Sequence, residues 1–197
     1  QIEVPTGAGG ALVVDERLAT GIDGVWAAGD CVHTLHRLLP EPSYLPLGPT
    51  AHKQGRVAGE NAVGGDRRFA GGLGTQVVKV FDVAIAGTGL RDRTAPSSYS
   101  PRTGQLVVPD HKRYYPGAVD LTVRVTGDES TGRLLGAQIA GPLSGQVAKR
   151  VDTSATARHN ALSANALSDL DRSSTPPFSA PWDAVQMAAQ AWTRAAA

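Results

Sequence analysis

The chain has 197 residues, 41% hydrophobic and 19% charged, a balance typical of globular chains rather than disordered ones. Its net charge is +1 and its densest basic groups are only the pairs Arg67-Arg68 and Lys149-Arg150. This leaves no electrostatic case for nucleic acid or a membrane surface, and no apolar run approaches the ~20 residues that a span requires.

Gly7-Ala-Gly-Gly10 resembles a dinucleotide fingerprint only superficially, because a strand follows it where a helix should begin. It is expected to be a turn. Ala11-Leu-Val-Val-Asp15 and Val25-Trp-Ala-Ala28 read as short buried strands, the second ending in Gly29-Asp30. A loop rich in Pro and Leu spans Leu38 to Pro49. Thr50 to Asn61 reads as a helix with Ala51, Val57, Ala58 and Ala62 on its buried face, and Gly64-Gly65 ends it.

Composition shifts at Phe69-Ala-Gly-Gly72, where a domain boundary is expected, dividing the chain into residues 1–70 and 71–197. Thr75 to Phe81 and Gln105 to Lys112 read as strands. Val119, Leu121, Val123 and Val125 alternate with polar residues, which predicts a half-buried strand. Gly127-Asp-Glu-Ser-Thr-Gly132 is the turn to a partner strand carrying Leu135, Ala137 and Ile139, so the pair reads as an antiparallel hairpin. Gly145 to His159 is predicted helical, with Val147, Val151 and Ala155 on one stripe. A last helix is expected to carry Trp182, Val185, Ala189 and Trp192 on one stripe, with Ser179 near its N-cap and Pro181 in its first turn.

The run Thr20-Gly-Ile-Asp-Gly-Val-Trp-Ala-Ala-Gly-Asp30 fits T-x4-V-W-A-x-G-D. It resembles the second flavin-contacting motif of the pyridine nucleotide-disulfide oxidoreductases. The resemblance implies that Asp30 accepts hydrogen bonds from ribityl hydroxyls of FAD and that Gly29 lets the backbone come close to the cofactor. Leu45-Pro-Leu-Gly-Pro-Thr-Ala-His-Lys-Gln-Gly-Arg56 looks like the family segment whose helix approaches the isoalloxazine. Free N–H groups and the dipole at such a helix start favour negative charge, as on reduced flavin, which makes Leu47, Gly48, Thr50 and Ala51 candidate flavin-edge residues. Gly74-Thr75, Lys79-Val-Phe-Asp82, Thr88-Gly-Leu90, Tyr114-Tyr-Pro-Gly117, Gly136-Ala-Gln-Ile-Ala-Gly141, Arg150-Val-Asp152 and Pro176-Pro-Phe178 match landmarks of the family's dimerisation domain.

The expected architecture is therefore an α/β tail of an FAD-binding domain followed by an α+β dimerisation domain, an antiparallel sheet flanked by helices. The likeness is to the single-cysteine branch, the coenzyme A-disulfide reductases and NADH oxidases. It implies FAD and NAD(P)H as cofactors, a homodimer, and electron transfer to a disulfide, a persulfide or oxygen. Tyr114 and Tyr115 resemble the segment that comes near the partner subunit's active site, where a phenol could hydrogen-bond an intermediate; packing is the other reading of this pair. Tyr114, Tyr115, Trp182 and Trp192 are expected on the face that meets a partner.

Cys31 is the lone cysteine, which excludes an intrachain disulfide and fits a reducing cytoplasm. At a strand end it is expected to act as a small hydrophobe, not a redox centre, because the family's reactive cysteine lies upstream of this region. Five residues after His159 stands Ala164, so the acid/base dyad of two-cysteine members is missing. Ser174 stands where the branch usually has a second tyrosine, and Arg172 where the family prefers an apolar residue, a change expected to loosen packing before the last helix. The chain opens Gln-Ile-Glu, without a signal peptide pattern, and carries no G-x-G-x-x-G in strand-turn-helix context. The expectation is a C-terminal piece, with the pyrophosphate sites, the nicotinamide domain and the redox cysteine upstream. The alternative is a non-catalytic dimerisation fragment with a relic flavin motif.

Overall fold

The computed structural model describes residues 3–196, Ala8 and Ala196 by their backbone only. They divide into two compact units, one up to Gly74 and one from Thr75 onward.

The first unit carries one long helix, α1 (Gly48–Ala62), above a set of turns and extended segments. Its start is marked by Pro49 in the first turn, where a missing N–H costs nothing. Its end is closed by the Gly65 N–H donating to the Glu60 carbonyl at 2.9 Å, as the two glycines predict. The buried face differs from the expected one. Thr50, Gln54, Val57 and Asn61 are buried, whereas Ala51 and Ala58 are half-buried and Ala62 is exposed. The buried stripe is mostly polar because it serves the surrounding turns. The Asn61 side chain donates to the Arg17 and Arg67 carbonyls and accepts from the Arg67 N–H, at 2.7–2.8 Å. Leu18, Val57 and Phe69 form the small apolar cluster of this unit.

The strands expected at Ala11–Asp15 and Val25–Ala28 are absent as ladders. Single bridges stand in their place: Thr6 with Leu12, Leu12 with Val32, and Ala19 with Trp26. Turns at Asp15–Leu18 and Ile22–Val25 redirect the chain before longer pairing develops. Ala8–Gly10 forms a 3-10 turn, consistent with the turn read from its glycines.

The second unit is a five-stranded antiparallel sheet in the order β1-β2-β5-β4-β3. Its strands are β1 (Gln76–Val80), β2 (Val83–Gly89), β3 (Pro101–Pro109), β4 (Asp120–Asp128) and β5 (Leu134–Pro142). The β4–β5 hairpin is the centre of the sheet, with Val123 opposite Ile139 and Val125 opposite Ala137. Leu121, Val123, Val125, Ala137 and Ile139 are buried in one core cluster, the inner face that their alternation predicts. A register shift at Thr126/Gly127 brings Leu134 into that cluster, while Leu135 is fully buried outside it.

Three helices complete the layer: α2 (Val147–His159) over β2 and β5, α4 (Ala184–Ala196) over β3 and β4, and the short α3 (Ala164–Ser168) against α4. This is a two-layer α+β arrangement in which each element buries one face. On α2 the inner stripe is Val147, Arg150, Val151, Ser154 and Ala157, and Ala155 is only half-buried. α4 begins after the expected Ser179–Trp182 start. Asp183 accepts from the Val185 N–H at 3.1 Å and its own N–H donates to the Gln186 side chain at 3.2 Å, a reciprocal cap. Trp182 therefore precedes the helix and is 53% exposed, off the stripe of Val185, Ala189 and Trp192.

Trp192 is buried, not offered to a partner. Its Nε1 donates to the Arg102 carbonyl at 2.8 Å and the Arg102 guanidinium lies 4.3 Å from its ring centre. A Cβ at Gly127 would meet the Trp192 ring at 2.5 Å, so only glycine fits beneath it. β2 was not foreseen, and β1 lies at the sheet edge with all five residues exposed.

Candidate functional site

The Thr20–Asp30 run is built as a tight turn followed by an extended arm. The Thr20 N–H and hydroxyl both donate to the Val25 carbonyl, at 3.2 and 3.0 Å, which gives the T-x4-V spacing a physical meaning. The arm continues through Ala27, whose N–H donates to the Leu18 carbonyl at 3.0 Å, and ends at Gly29. There φ is +89°, a left-handed conformation that favours glycine. The Val32 N–H closes the turn on the Gly29 carbonyl at 3.2 Å, leaving Asp30 exposed at its tip. Cys31, expected to act as a small hydrophobe, is exposed too. The turn places it beside Asp30 at the tip, with its thiol against the Ala28 carbonyl at 3.5 Å.

The turn rests on the first part of α1. A Cβ on Gly29 would contact the Ala51 Cβ at 3.6 Å. The Gln54 side chain, 1% exposed, accepts from the Gly29 N–H and donates to the Thr34 hydroxyl, each at 3.0 Å. Gln54 is the residue that the sequence reading missed. Its signal was its spacing: it follows Thr50 by four and Ala51 by three, the intervals that share a helix face. Through it, Gly29 and Asp30 are held in register with Leu47, Gly48, Thr50 and Ala51. The first turn of α1 has no side-chain cap and no acidic residue, and the Ala51 N–H donates to the Leu47 carbonyl at 2.9 Å. Its N-terminal end is therefore a positive pole that no side chain of the helix itself caps. An exposed carboxylate on a glycine turn beside that pole provides hydroxyl acceptors and an electropositive edge together. These residues fit the ribityl and isoalloxazine parts of a flavin, with no carboxylate in that first turn to repel a reduced ring.

Tyr114 and Tyr115 belong to the second unit, in the turn after β3. They are 81% and 42% exposed, and Tyr115 stands edge-on to the buried His111 at 5.8 Å. Behind this turn lies a buried ionic group. The Arg150 guanidinium, fully buried, donates to Asp183 at 3.1 Å, to the Asp110 carbonyl at 2.8 Å and to the Gly145 carbonyl. Arg172, where an apolar residue was expected, also pairs with Asp183 at 3.5 Å. It is drawn into the core by that carboxylate, although its Nε and Nη1 have no hydrogen-bond partner. His159 is exposed near the end of α2, and Ala164 is buried at the start of α3, so no carboxylate stands five residues on. Among the described residues no His/Cys/Asp/Glu group could hold a metal, and no helix is long and apolar enough to cross a membrane.

Two family models match the chain: pyridine nucleotide-disulphide oxidoreductase over residues 1–55 and its dimerisation domain over residues 75–185. The chain belongs to the pyridine nucleotide-disulphide oxidoreductase family. It is 34% identical over 184 residues to an NAD(P)H coenzyme A polysulfide/persulfide reductase of Pyrococcus horikoshii, covering 93% of this chain and 41% of that protein. It is 30% identical over 179 residues to a coenzyme A disulfide reductase of Staphylococcus aureus, covering 90% of this chain and 40% of that one. An NAD-dependent persulfide reductase from A. fulgidus superposes with a TM-score of 0.91 at 34% identity, over 97% of this chain and 35% of the other. The family member described here thus spans about two fifths of the length of the curated relatives it matches.

Proposed function

We propose that the chain is the C-terminal part of an FAD-dependent NAD(P)H oxidoreductase acting on a disulfide, persulfide or oxygen acceptor. The observation that carries this is the Gly29-Asp30 turn, fixed by Gln54 to the uncapped start of α1. In this reading residues 1–70 are the tail of the FAD-binding domain and residues 71–197 the dimerisation domain of a cytoplasmic homodimer. FAD, when bound, supplies a two-electron relay between NAD(P)H and the acceptor.

The chain's own residues bind and orient. Asp30 accepts hydrogen bonds from hydroxyls of the ribityl chain. Gly29 removes the side chain that would stand between backbone and cofactor. The N-terminal turn of α1, from Leu47 through Gly48 and Thr50 to Ala51, stabilises negative charge on the flavin edge. Tyr114 and Tyr115 present phenols toward the partner subunit's site, where they hydrogen-bond the acceptor. Ser174 has no phenol to add to them, so a disulfide acceptor would have to be reduced without the second tyrosine that the branch usually places there. The relatives named for coenzyme A disulfide and persulfide reduction, and the NADH oxidase among the relatives, support the disulfide, persulfide and oxygen acceptors of this reading.

The test is FAD titration of the longer protein carrying Asp30→Ala or Asp30→Asn. A charge-assisted hydrogen bond contributes about 1.5–3 kcal/mol, so Asp30→Ala should weaken FAD binding roughly ten- to a hundredfold. Asn, which keeps an accepting oxygen, should cost less. Full FAD affinity in the Asp30→Ala protein would sink the assignment and leave the reading of a dimerisation fragment with a relic motif.

A further inference from the structure

Away from the flavin motif, the second unit has an open groove of about 550 Å³ between β3 with its following turn and helix α4. That volume lies within the range of small-molecule sites. Its walls are apolar: Leu106 from β3, Trp182 from the segment before α4, and Met187 and Ala191 from α4. Its charged residues are all cations, Lys112, Arg113 and Arg194, and no Asp or Glu lines it. Arg113 is engaged by Asp120, so Lys112 and Arg194, both exposed, carry the groove's positive potential.

At its inner end lies His111, 2% exposed. The ring's Nδ1 is 3.0 Å from a carboxylate oxygen of Asp110, yet neither ring nitrogen makes an aligned hydrogen bond. That oxygen already accepts from the backbone N–H groups of His111 and Val119, at 2.9 Å each. The Asp110 carbonyl accepts from Arg150 at 2.8 Å, which anchors the start of the turn in the core. A buried imidazole whose ring nitrogens make no aligned hydrogen bond is under-satisfied, even with the Asp110 carboxylate beside it, and polar groups of this kind at the end of a cleft often mark binding sites.

We propose that this groove binds an amphipathic anion, an alkyl or aryl chain ending in a carboxylate or phosphate. The apolar part lies along Leu106, Met187 and Ala191 against the Trp182 ring. The anionic head pairs with Lys112 and Arg194. A neutral apolar ligand would gain nothing from the two cations, and a cationic one would be repelled. The inference is independent of the flavin reading, because every residue in it belongs to the second unit.

The chain has one methionine, and it is Met187, so the ¹³C-methyl signal of this residue is a reporter placed inside the groove. Decanoate should shift it with a Kd of roughly 0.1–1 mM, ordinary for a ligand of that size. Decyltrimethylammonium, equal in chain length and opposite in charge, should bind at least about tenfold more weakly. The Lys112→Glu/Arg194→Glu double variant changes only exposed side chains and should reverse that preference. Val78→Asp, on the exposed sheet edge, should leave both affinities unchanged. Equal affinity for the two amphiphiles, or a decanoate affinity untouched by the double charge reversal, would overturn the proposal. So would a Met187 signal that moves with protein concentration and not with ligand, because the groove would then be filled by a second copy of the chain.

Discussion

In residues 1–74 Leu18, Val57 and Phe69 form a small apolar cluster, Ala11, Val32, Leu38 and Leu73 are buried as well, and the side-chain amides of Gln54 and Asn61 reach backbone groups of the surrounding turns. In residues 75–197 a continuous core runs from Ala84 on β2 through Val123 and Ile139 to Trp192 on α4, beneath a regular sheet. The first unit exposes its order at a turn tip, at Asp30; the second buries its order between two layers. Hydrophobic burial without direction stabilises a layer, whereas positioning a single carboxylate needs directional bonds from specific donors and acceptors. A hydrogen-bonded scaffold also opens locally more readily than a packed one, so the two halves should differ in native-state amide exchange. Slow exchange is expected across 121–139 and faster exchange across 11–28; the reverse order would break the comparison.

The largest single effect should come from the fully buried ion pair of the second unit, Arg150 with Asp183. Asp183→Ala leaves Arg150 buried without its carboxylate and should destabilise the unit by about 3–5 kcal/mol in chemical denaturation. An Arg150→Met/Asp183→Leu pair should recover much of that loss, since apolar replacements of both partners remove the uncompensated charge. A cost below about 1 kcal/mol for Asp183→Ala would show that Arg172 and the pair add little, whatever their burial.

In the first unit the corresponding change is Gln54→Leu, which removes the acceptor for the Gly29 N–H and the donor to Thr34. It should cost about 1–3 kcal/mol and raise exchange at Gly29 while amides in β4 and β5 keep their protection. Unchanged exchange at Gly29 would show that the turn holds itself.

A smaller and pH-gated effect is expected at the end of β4. Burial alone would raise the Asp128 pKa, but bonds from Thr131, the Ser100 N–H and Ser130 outweigh it and hold the carboxyl below its usual range. Because its folded value lies below the unfolded one, the stabilisation is present above pH ~4 and is lost as pH falls through the folded value. Thermal melts of wild type and Asp128→Asn should therefore differ at pH 7 and converge in acid; parallel curves down to pH 2 would remove Asp128 from the account. The smallest effect belongs to Asp30→Ala, whose side chain is exposed at the turn tip. It should alter the stability of the chain by no more than about 0.5 kcal/mol, a value that equilibrium unfolding can check.

How much of this was legible in the sequence follows from the same contrast. The β4–β5 hairpin could be read because its alternating residues meet one core, α1 could be placed by the glycines that end it, and α2 by the spacing of Val147 and Val151. β2 was missed because Val83–Gly89 is mostly small residues, whose burial depends on neighbouring strands and not on their own pattern. Periodicity arguments count apolar residues and so point to Val57 and the alanines of α1, whereas the inner stripe joins Val57 to two amides and a hydroxyl. Trp182 was put on α4 because it keeps helical spacing with Val185 and Ala189. The cap at Asp183 starts the helix just after it. At the candidate flavin site the motif gave Gly29 and Asp30, but the strut between them and α1 required the fold, since Gln54 lies far along the chain.

The bare edge at β1 has a practical consequence for the chain in solution. Val78, Val80, Val83 and Ile85 share an outer face at 41–50% exposure, and Phe81 at the hairpin tip is 89% exposed. An open strand of this kind is a template for further strands, and natural sheets guard such edges with charge. Here the guard is Lys79, the only charged residue in β1. Its removal in Lys79→Val would extend an uncharged, β-branched run with the signature of aggregation-prone segments. Light scattering of that variant should rise at protein concentrations where the parent chain stays clear.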